Sequence, residues 1–187
     1  MVKKIKTCVF ISGKGSNLNS LIKSSRNYHF PIEINLVISN KKNANGLKIA
    51  KKNSITSKYF SSFDQKKFEK KSLTELKKRK IKFLCLAGFM KILSKDFIKN
   101  FSHEIVNIHP SLLPKYKGTK THEKVLKNKD KYSGCTVHFV TSKLDSGKII
   151  LQKKVLISKK ETKESLKKKI LKLEHVVYSK SITKIFK

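Results

Sequence analysis

Short apolar runs alternate with amphipathic stretches through the first two thirds of the chain. The runs at residues 5–12, 32–39, 83–87 and 105–109, with a weaker one at 57–60, read as strands. Most are apolar on both faces instead of alternating, which fits a largely parallel sheet covered on both sides. Helical spacing fills the gaps at 17–24, 45–52, 65–80 and 95–100. Strand and helix in strict alternation imply right-handed crossovers, hence an α/β fold with a doubly wound, mostly parallel sheet and helices on both faces. After Pro110 the rhythm changes. A loop holding Pro110 and Pro114 is followed by strand patterns at 136–140 and 149–157, whose short connector predicts an antiparallel C-terminal pair. Residues 161–186 predict a closing helix, with Leu166, Ile170, Leu173, Val176 and Val177 on its apolar side. With no repeat, linker or break in composition, one domain is expected over residues 1–187.

Composition adds bounds to that picture. A chain of 187 residues that is 38% hydrophobic can bury a core without disulfides or metal. Cys8, Cys85 and Cys135 are odd in number, lack C-x-x-C spacing and sit in apolar runs, so they read as small core residues, with neither zinc nor disulfide expected. No apolar run is long enough to span a bilayer, and the N-terminus turns glycine-rich too early for a signal peptide, so the expectation is a cytoplasmic protein without membrane contact. The net charge of +33 raises the question of nucleic acid. Among the 45 basic residues, however, only Arg26 and Arg79 are arginine, the residue suited to bidentate phosphate and base recognition. Lysine is spread through every segment beside abundant Asn, Ile, Phe and Ser, as drift in an AT-rich genome would produce, so no specific nucleic-acid partner is expected.

Two places carry candidate chemistry. After the first strand, Gly13-Lys-Gly-Ser-Asn17 precedes a helix. Glycines there let the backbone turn and approach a ligand, and N–H groups of Gly15, Ser16 and Asn17 at a helix start favour an anion such as phosphate. A tight turn with Ser16 as an N-cap is the plain alternative. Further on, Asn107 and His109 lie two residues apart in a strand and share a face, and Pro110 ends that strand, leaving His109 at its carboxyl end. Asp145 lies in a turn that Gly147 could fold back. An imidazolium and a carboxamide can donate to an oxyanion while an aspartate raises the imidazole pKa, a combination suited to acyl transfer. Spacing alone does not bring residue 145 to residue 109.

Taken together, ISGKGSNLNSLI, LAGFMKILS, IVNIHPSLLPKYKG and GCTVHFVTSKLDSGKIILQ resemble the folate-dependent formyltransferases, in particular those that formylate glycinamide ribonucleotide in purine biosynthesis. The resemblance runs from Val9 to about Tyr178. It implies the formyltransferase fold, 10-formyltetrahydrofolate as co-substrate, no metal, and a monomer or homodimer. By the same resemblance, Gly15, Ser16 and Asn17 match the loop for the ribonucleotide 5′-phosphate, and Asn107, His109 and Asp145 match the catalytic trio. Lys66, Met90, Lys91, Ile92, Leu93 and Asn107 match folate-contacting positions, and Glu174 matches a contact to the glycinamide substrate, a helix-surface carboxylate being the plain alternative. Lys66 and Lys91 stand where the family usually has arginine, which keeps the charge and loses the bidentate fork. Lys117-Gly118 stands where the family usually has proline-glycine. Other members of the family, acting on methionyl-tRNA or hydrolysing formyltetrahydrofolate, carry added domains, and the first of them has a different first loop. A basic nucleic-acid-binding module on the same fold is the alternative from another class.

Overall fold

The computed structural model describes residues 4–187, which divide into two compact units meeting in sequence between Val106 and Asn107. The first unit runs β1 (Ile5–Ile11), α1 (Ser16–Ser25), β2 (Ile32–Ser39), α2 (Asn45–Lys52), β3 (Thr56–Tyr59), α3 (Gln65–Lys78), β4 (Phe83–Leu86) and α4 (Lys95–Phe101), and enters β5 (Glu104–His109). The second holds the end of β5, then α5 (Thr121–Lys127), β6 (Tyr132–Phe139), β7 (Ile149–Leu156) and α6 (Lys163–Ile185). Hydrogen bonding orders the strands β3-β2-β1-β4-β5-β6-β7.

In the first unit β1 pairs in parallel with β2 and with β4, and β2 with β3. The chain winds from β1 outward to β3 and then returns to the other side of β1. The order therefore reverses between β1 and β4, and in open α/β sheets ligands bind at the carboxyl ends of such strands. All four side chains of β4 and the last five of β1 are buried, as their unbroken apolar runs required. The β1–β2 register slips after Thr7, and Asn35 fills the gap: its side-chain oxygen accepts the Thr7 N–H at 3.2 Å. Phe10 sits at the centre of the core, with the rings of Phe68, Phe89 and Phe97 between 5.3 and 6.0 Å away. Each fully buried side chain of this size contributes about 1.5–3 kcal/mol relative to exposure.

The second unit has the expected antiparallel pair, β6 against β7. Its strand β6 begins at Tyr132, four residues before the predicted start, because Tyr-Ser-Gly-Cys lacks an apolar run although Ser133 and Cys135 are buried. Helix α5 was not expected at all. It is about two turns long, buries only Thr121 and Val125, and lies in what reads as a polar loop. Helix α6 starts at a capping box between Thr162 and Ser165. Its buried side is Leu166, Ile170, Glu174, Val177, Tyr178, Ser181 and Ile182. Val176, assigned to that side from the sequence, is exposed, because three members of the true stripe are polar or amphipathic and an apolar pattern passes over them. All three cysteines are buried: Cys8 and Cys85 in the first unit, Cys135 in the second. Among the described residues no helix is long and apolar enough to cross a membrane, and no group of three or more His, Cys, Asp and Glu side chains is arranged to hold a metal ion.

Candidate functional site

In the first unit, Gly15 is the N-cap of α1 at φ +75°, with no side-chain cap, and Ser16 is the first helical residue instead of the cap. A Cβ on Gly15 would lie 2.6 Å from the Cα of Gly46, so both the left-handed backbone and the close approach of α2 require glycine there. No acidic side chain occupies the first turn. The backbone N–H groups that open a helix lack acceptors within it, and the helix dipole adds a positive partial charge at that end. Strand β1 thus delivers a rigid turn whose chemistry suits an anion.

The loop after β4 is fastened to the same strand end. Ser12 N–H donates to Gly88 O at 3.2 Å, and Met90 N–H donates to Ser12 Oγ at 2.8 Å, while that hydroxyl donates to Asn40 Oδ1 at 2.7 Å. Met90 and Ile92 are 65% and 54% exposed, and Lys91 and Lys66 are exposed. Leu93 turns into the core, so only its main chain is left for a ligand. Exposed apolar side chains beside two lysines are a chemically apt surface for a folate, whose flat aromatic rings can lie against apolar groups and whose glutamate is anionic.

The second unit carries the trio. Asn107 is half-buried and His109 is 4% exposed, both on β5. Asp145 follows at φ +44° in the β6–β7 connection, its side chain buried. A Cβ on Gly147 would come within 1.8 Å of the Phe139 carbonyl oxygen, so the connection is pressed against the end of β6 and only glycine fits. This carries Asp145 to His109: Oδ2 lies 3.3 Å from Nδ1 and also accepts the Gly118 N–H at 2.8 Å. On the other side of the ring, Nε2 donates to the Tyr116 carbonyl at 2.8 Å.

One residue here escaped the sequence reading. His138 on β6 lies with Nε2 3.2 Å from Asn107 Nδ2 and 3.6 Å from Asp145 Oδ1, and its Nδ1 donates to Phe139 O at 2.8 Å. With Nδ1 donating, the Nε2 lone pair accepts from the Asn107 amide. The signal was available: Thr136 and His138 are polar, two apart in an apolar strand, the same pattern that picked out Asn107 and His109. Thr136 has its own task, accepting Leu113 N–H at 3.1 Å and donating to Ser111 O at 2.7 Å, which fixes the loop after β5.

The electrostatics modify one expectation. Burial pushes His109 below the usual histidine range; the Tyr116 carbonyl and the Asp145 carboxylate pull it upward without making up the difference. Asp145 therefore acts in the expected direction but does not raise the net value. For Asp145, burial acts upward, but the adjacent His138 and His109 rings and the hydrogen bond from the Gly118 N–H hold it below its usual range. Burial thus favours the neutral form of His109, yet both its ring nitrogens face oxygens. Only the doubly protonated ring satisfies both, a geometry that makes His109 a ready proton acceptor. Burial also lowers His122 at the start of α5, with Lys167 and Lys163 adding to the effect.

Glu174 is 6% exposed in the middle of α6, on its buried side, so it is not a helix-surface carboxylate. It lies near enough to Cys135 for its charge to raise that thiol.

Residues 5–182 match the family model described as formyl transferase. The chain is 37% identical to the phosphoribosylglycinamide formyltransferase of Escherichia coli (strain K12) over 173 residues, 91% of this chain and 82% of that protein. It is 38% identical to the trifunctional purine biosynthetic protein adenosine-3 of Homo sapiens over 94% of its length, but it spans only 18% of that protein, and 14% of the corresponding protein of Chironomus tentans. In structure it is similar to phosphoribosylglycinamide formyltransferase from Brucella melitensis, with a TM-score of 0.93 and 38% identity over 98% of this chain and 96% of that one. With the match covering nearly its whole length, this chain belongs to the formyl transferase family.

Proposed function

We propose that this protein transfers the formyl group of 10-formyltetrahydrofolate to the amine of glycinamide ribonucleotide, in the cytoplasm, as a single formyltransferase domain that is a monomer or homodimer. The observation that carries the reading is the His109–Asp145 pair: a buried imidazole 3.3 Å from a carboxylate, on a strand end that also presents a carboxamide. The substrate follows from the relatives named phosphoribosylglycinamide formyltransferase and from the anion-suited turn at Gly15, Ser16 and Asn17.

In this reading the amine attacks the formyl carbon, and the C=O electrons move onto oxygen. The Asn107 amide and His109 donate to that oxyanion. For His109 Nε2–H to do so it exchanges the Tyr116 carbonyl for the substrate oxygen. The amine proton passes through a water to Nδ1 on the Asp145 side of the ring, and the carboxylate stabilises the resulting imidazolium. Collapse breaks the bond from carbon to the folate nitrogen, which leaves as the nitrogen takes up a proton from His109 directly or through water. Glu174 is assigned to the glycinamide substrate, and Lys66, Met90, Lys91, Ile92 and the main chain of Leu93 to the folate. The apolar and cationic side chains at 66 and 90–92 fit an amphipathic dianion of that kind.

The test is to incubate the purified protein with 10-formyltetrahydrofolate and, separately, glycinamide ribonucleotide, uncharged buffer, or methionyl-tRNA. Mass spectrometry of the acceptor and absorbance of the released tetrahydrofolate are followed. Formylation of glycinamide ribonucleotide alone is expected. Folate hydrolysis without an acceptor, or formylation of the tRNA, would overturn the reading.

A further inference from the structure

The segment Met90-Lys-Ile-Leu93 belongs to no helix or strand, so no ladder or helix ladder holds it. At its start it is tied by the Met90 N–H to Ser12 Oγ bond at 2.8 Å. At its other end it is tied to α3. Gln65 Nε2 donates to Ile92 O at 2.8 Å and to Glu69 Oε1 at 3.0 Å, which uses both hydrogens of that amide. Glu69 is 6% exposed and spends both oxygens on Ser94: Oε1 accepts the Ser94 N–H at 2.8 Å and Oε2 the Ser94 hydroxyl at 2.6 Å. Gln65 and Glu69 are one helical turn apart and so lie on one side of α3. Lys66 sits between them in sequence.

This is more than helix capping needs. Ser94 already caps α4 by accepting the Phe97 N–H at 3.0 Å, and a serine does that without a buried carboxylate behind it. A buried carboxylate is costly unless fully satisfied, and here the four bonds that satisfy it and its glutamine fasten the backbone at Ile92 and Ser94. The two fastenings leave Met90, Lys91 and Ile92 exposed but held at both ends.

We infer that Gln65 and Glu69 are positioning residues for the folate co-substrate: they brace the 90–93 segment against α3 and set its spacing from Lys66, so that the binding surface is formed before the ligand arrives. The inference rests on the assignment of that segment to the folate. A segment that had to order on binding would pay that entropy from its affinity, and the apparent affinity falls by the fraction of molecules in the competent shape.

Steady-state kinetics of the full chain test this. Glu69→Gln, which turns an N–H toward the Ser94 donors, is expected to raise KM for 10-formyltetrahydrofolate about tenfold, and Gln65→Ala about fivefold, if the competent fraction falls correspondingly. In both, KM for glycinamide ribonucleotide and kcat at saturating folate stay within about twofold. Gln65→Lys restores donors to both Ile92 O and Glu69 and is expected to return the folate KM to near the wild-type value. A lowered melting temperature with an unchanged folate KM would make the brace merely structural and overturn the inference, as would a failure of Gln65→Lys to rescue. Gln65 is exposed, so its variants keep the test open if Glu69→Gln does not fold. Met90→Ser and Ile92→Ser separate the two claims. If they leave the folate KM unchanged, the segment does not bind folate; if they raise it while Gln65→Ala and Glu69→Gln do not, the brace alone is wrong.

Discussion

The candidate residues of the two units are built in opposite ways. Those of the first unit act through backbone and exposure: a glycine turn that opens a helix, and a short segment whose side chains stand out into solvent. Those of the second act through side chains packed against side chains: His109, Asp145, His138 and Asn107 each lie within 3.6 Å of another member, in buried or half-buried positions. A surface fixed by backbone geometry can recognise a ligand but has no group whose proton affinity is tuned. A buried cluster of imidazoles and a carboxylate has that tuning and presents little surface. Substitutions in the first unit should therefore alter binding constants, and those in the second turnover.

The largest expected effect is that of Asp145→Asn, which removes the charge facing His109 Nδ1. It should lower kcat about 10²- to 10⁴-fold while the Kd for glycinamide ribonucleotide, measured by calorimetry, changes little. An equal loss of nucleotide binding would break the division between the units. The pH profile sharpens the same point. If neutral His109 must accept the amine proton, kcat falls as pH drops through its pKa, which lies below the ordinary 6.5. Because the Asp145 charge pulls that pKa upward, Asp145→Asn should shift the acid limb to still lower pH; a shift the other way would remove His109 from the proton path. Next in size is His138→Ala, which deprives Asp145 and Asn107 of a common neighbour and should cost about ten- to a hundredfold in kcat by loosening their geometry.

In the first unit, Gly15→Ala sets a Cβ against Gly46 in left-handed backbone. A loss of about 1–3 kcal/mol in unfolding free energy is expected, with a raised KM for glycinamide ribonucleotide and a smaller change in kcat. The smallest effect is that of Lys66→Arg, which restores a bidentate fork for a carboxylate and should lower the folate KM about two- to threefold. An increase would show that the lysine is fitted to its place.

Parts of this were legible in the order of residues, and the reasons differ by element. β2 and α2 have the bounds their apolar patterns indicate, because one is buried on both faces and the other is a plain amphipathic turn sequence. α5 was invisible because its N-cap, Lys120, enters the helix from left-handed backbone at φ +57° and almost nothing in it is apolar. The pairing of Asn107 with His109 is a matter of strand alternation and could be read directly. The approach of Asp145 could not, since it depends on how far the β6–β7 connection folds back, and that is decided by the clash-free space at Gly147. Glu69 was hidden for a related reason: in a lysine-rich helix a glutamate looks like a solvated surface residue, and its partner, Ser94, lies 25 residues away.

The buried cysteines give the protein an internal clock. Burial raises the Cys8 thiol well above its usual range, and burial with the charge of Glu174 pushes Cys135 up to about 12, so neither reacts with an alkylating agent while its surroundings stay closed. Their labelling rates under native conditions then count opening events, Cys8 for one unit and Cys135 for the other. If mass spectrometry of digested protein shows both thiols acquiring label in step, the chain opens as one; if Cys135 runs ahead, the half that carries the trio breathes first.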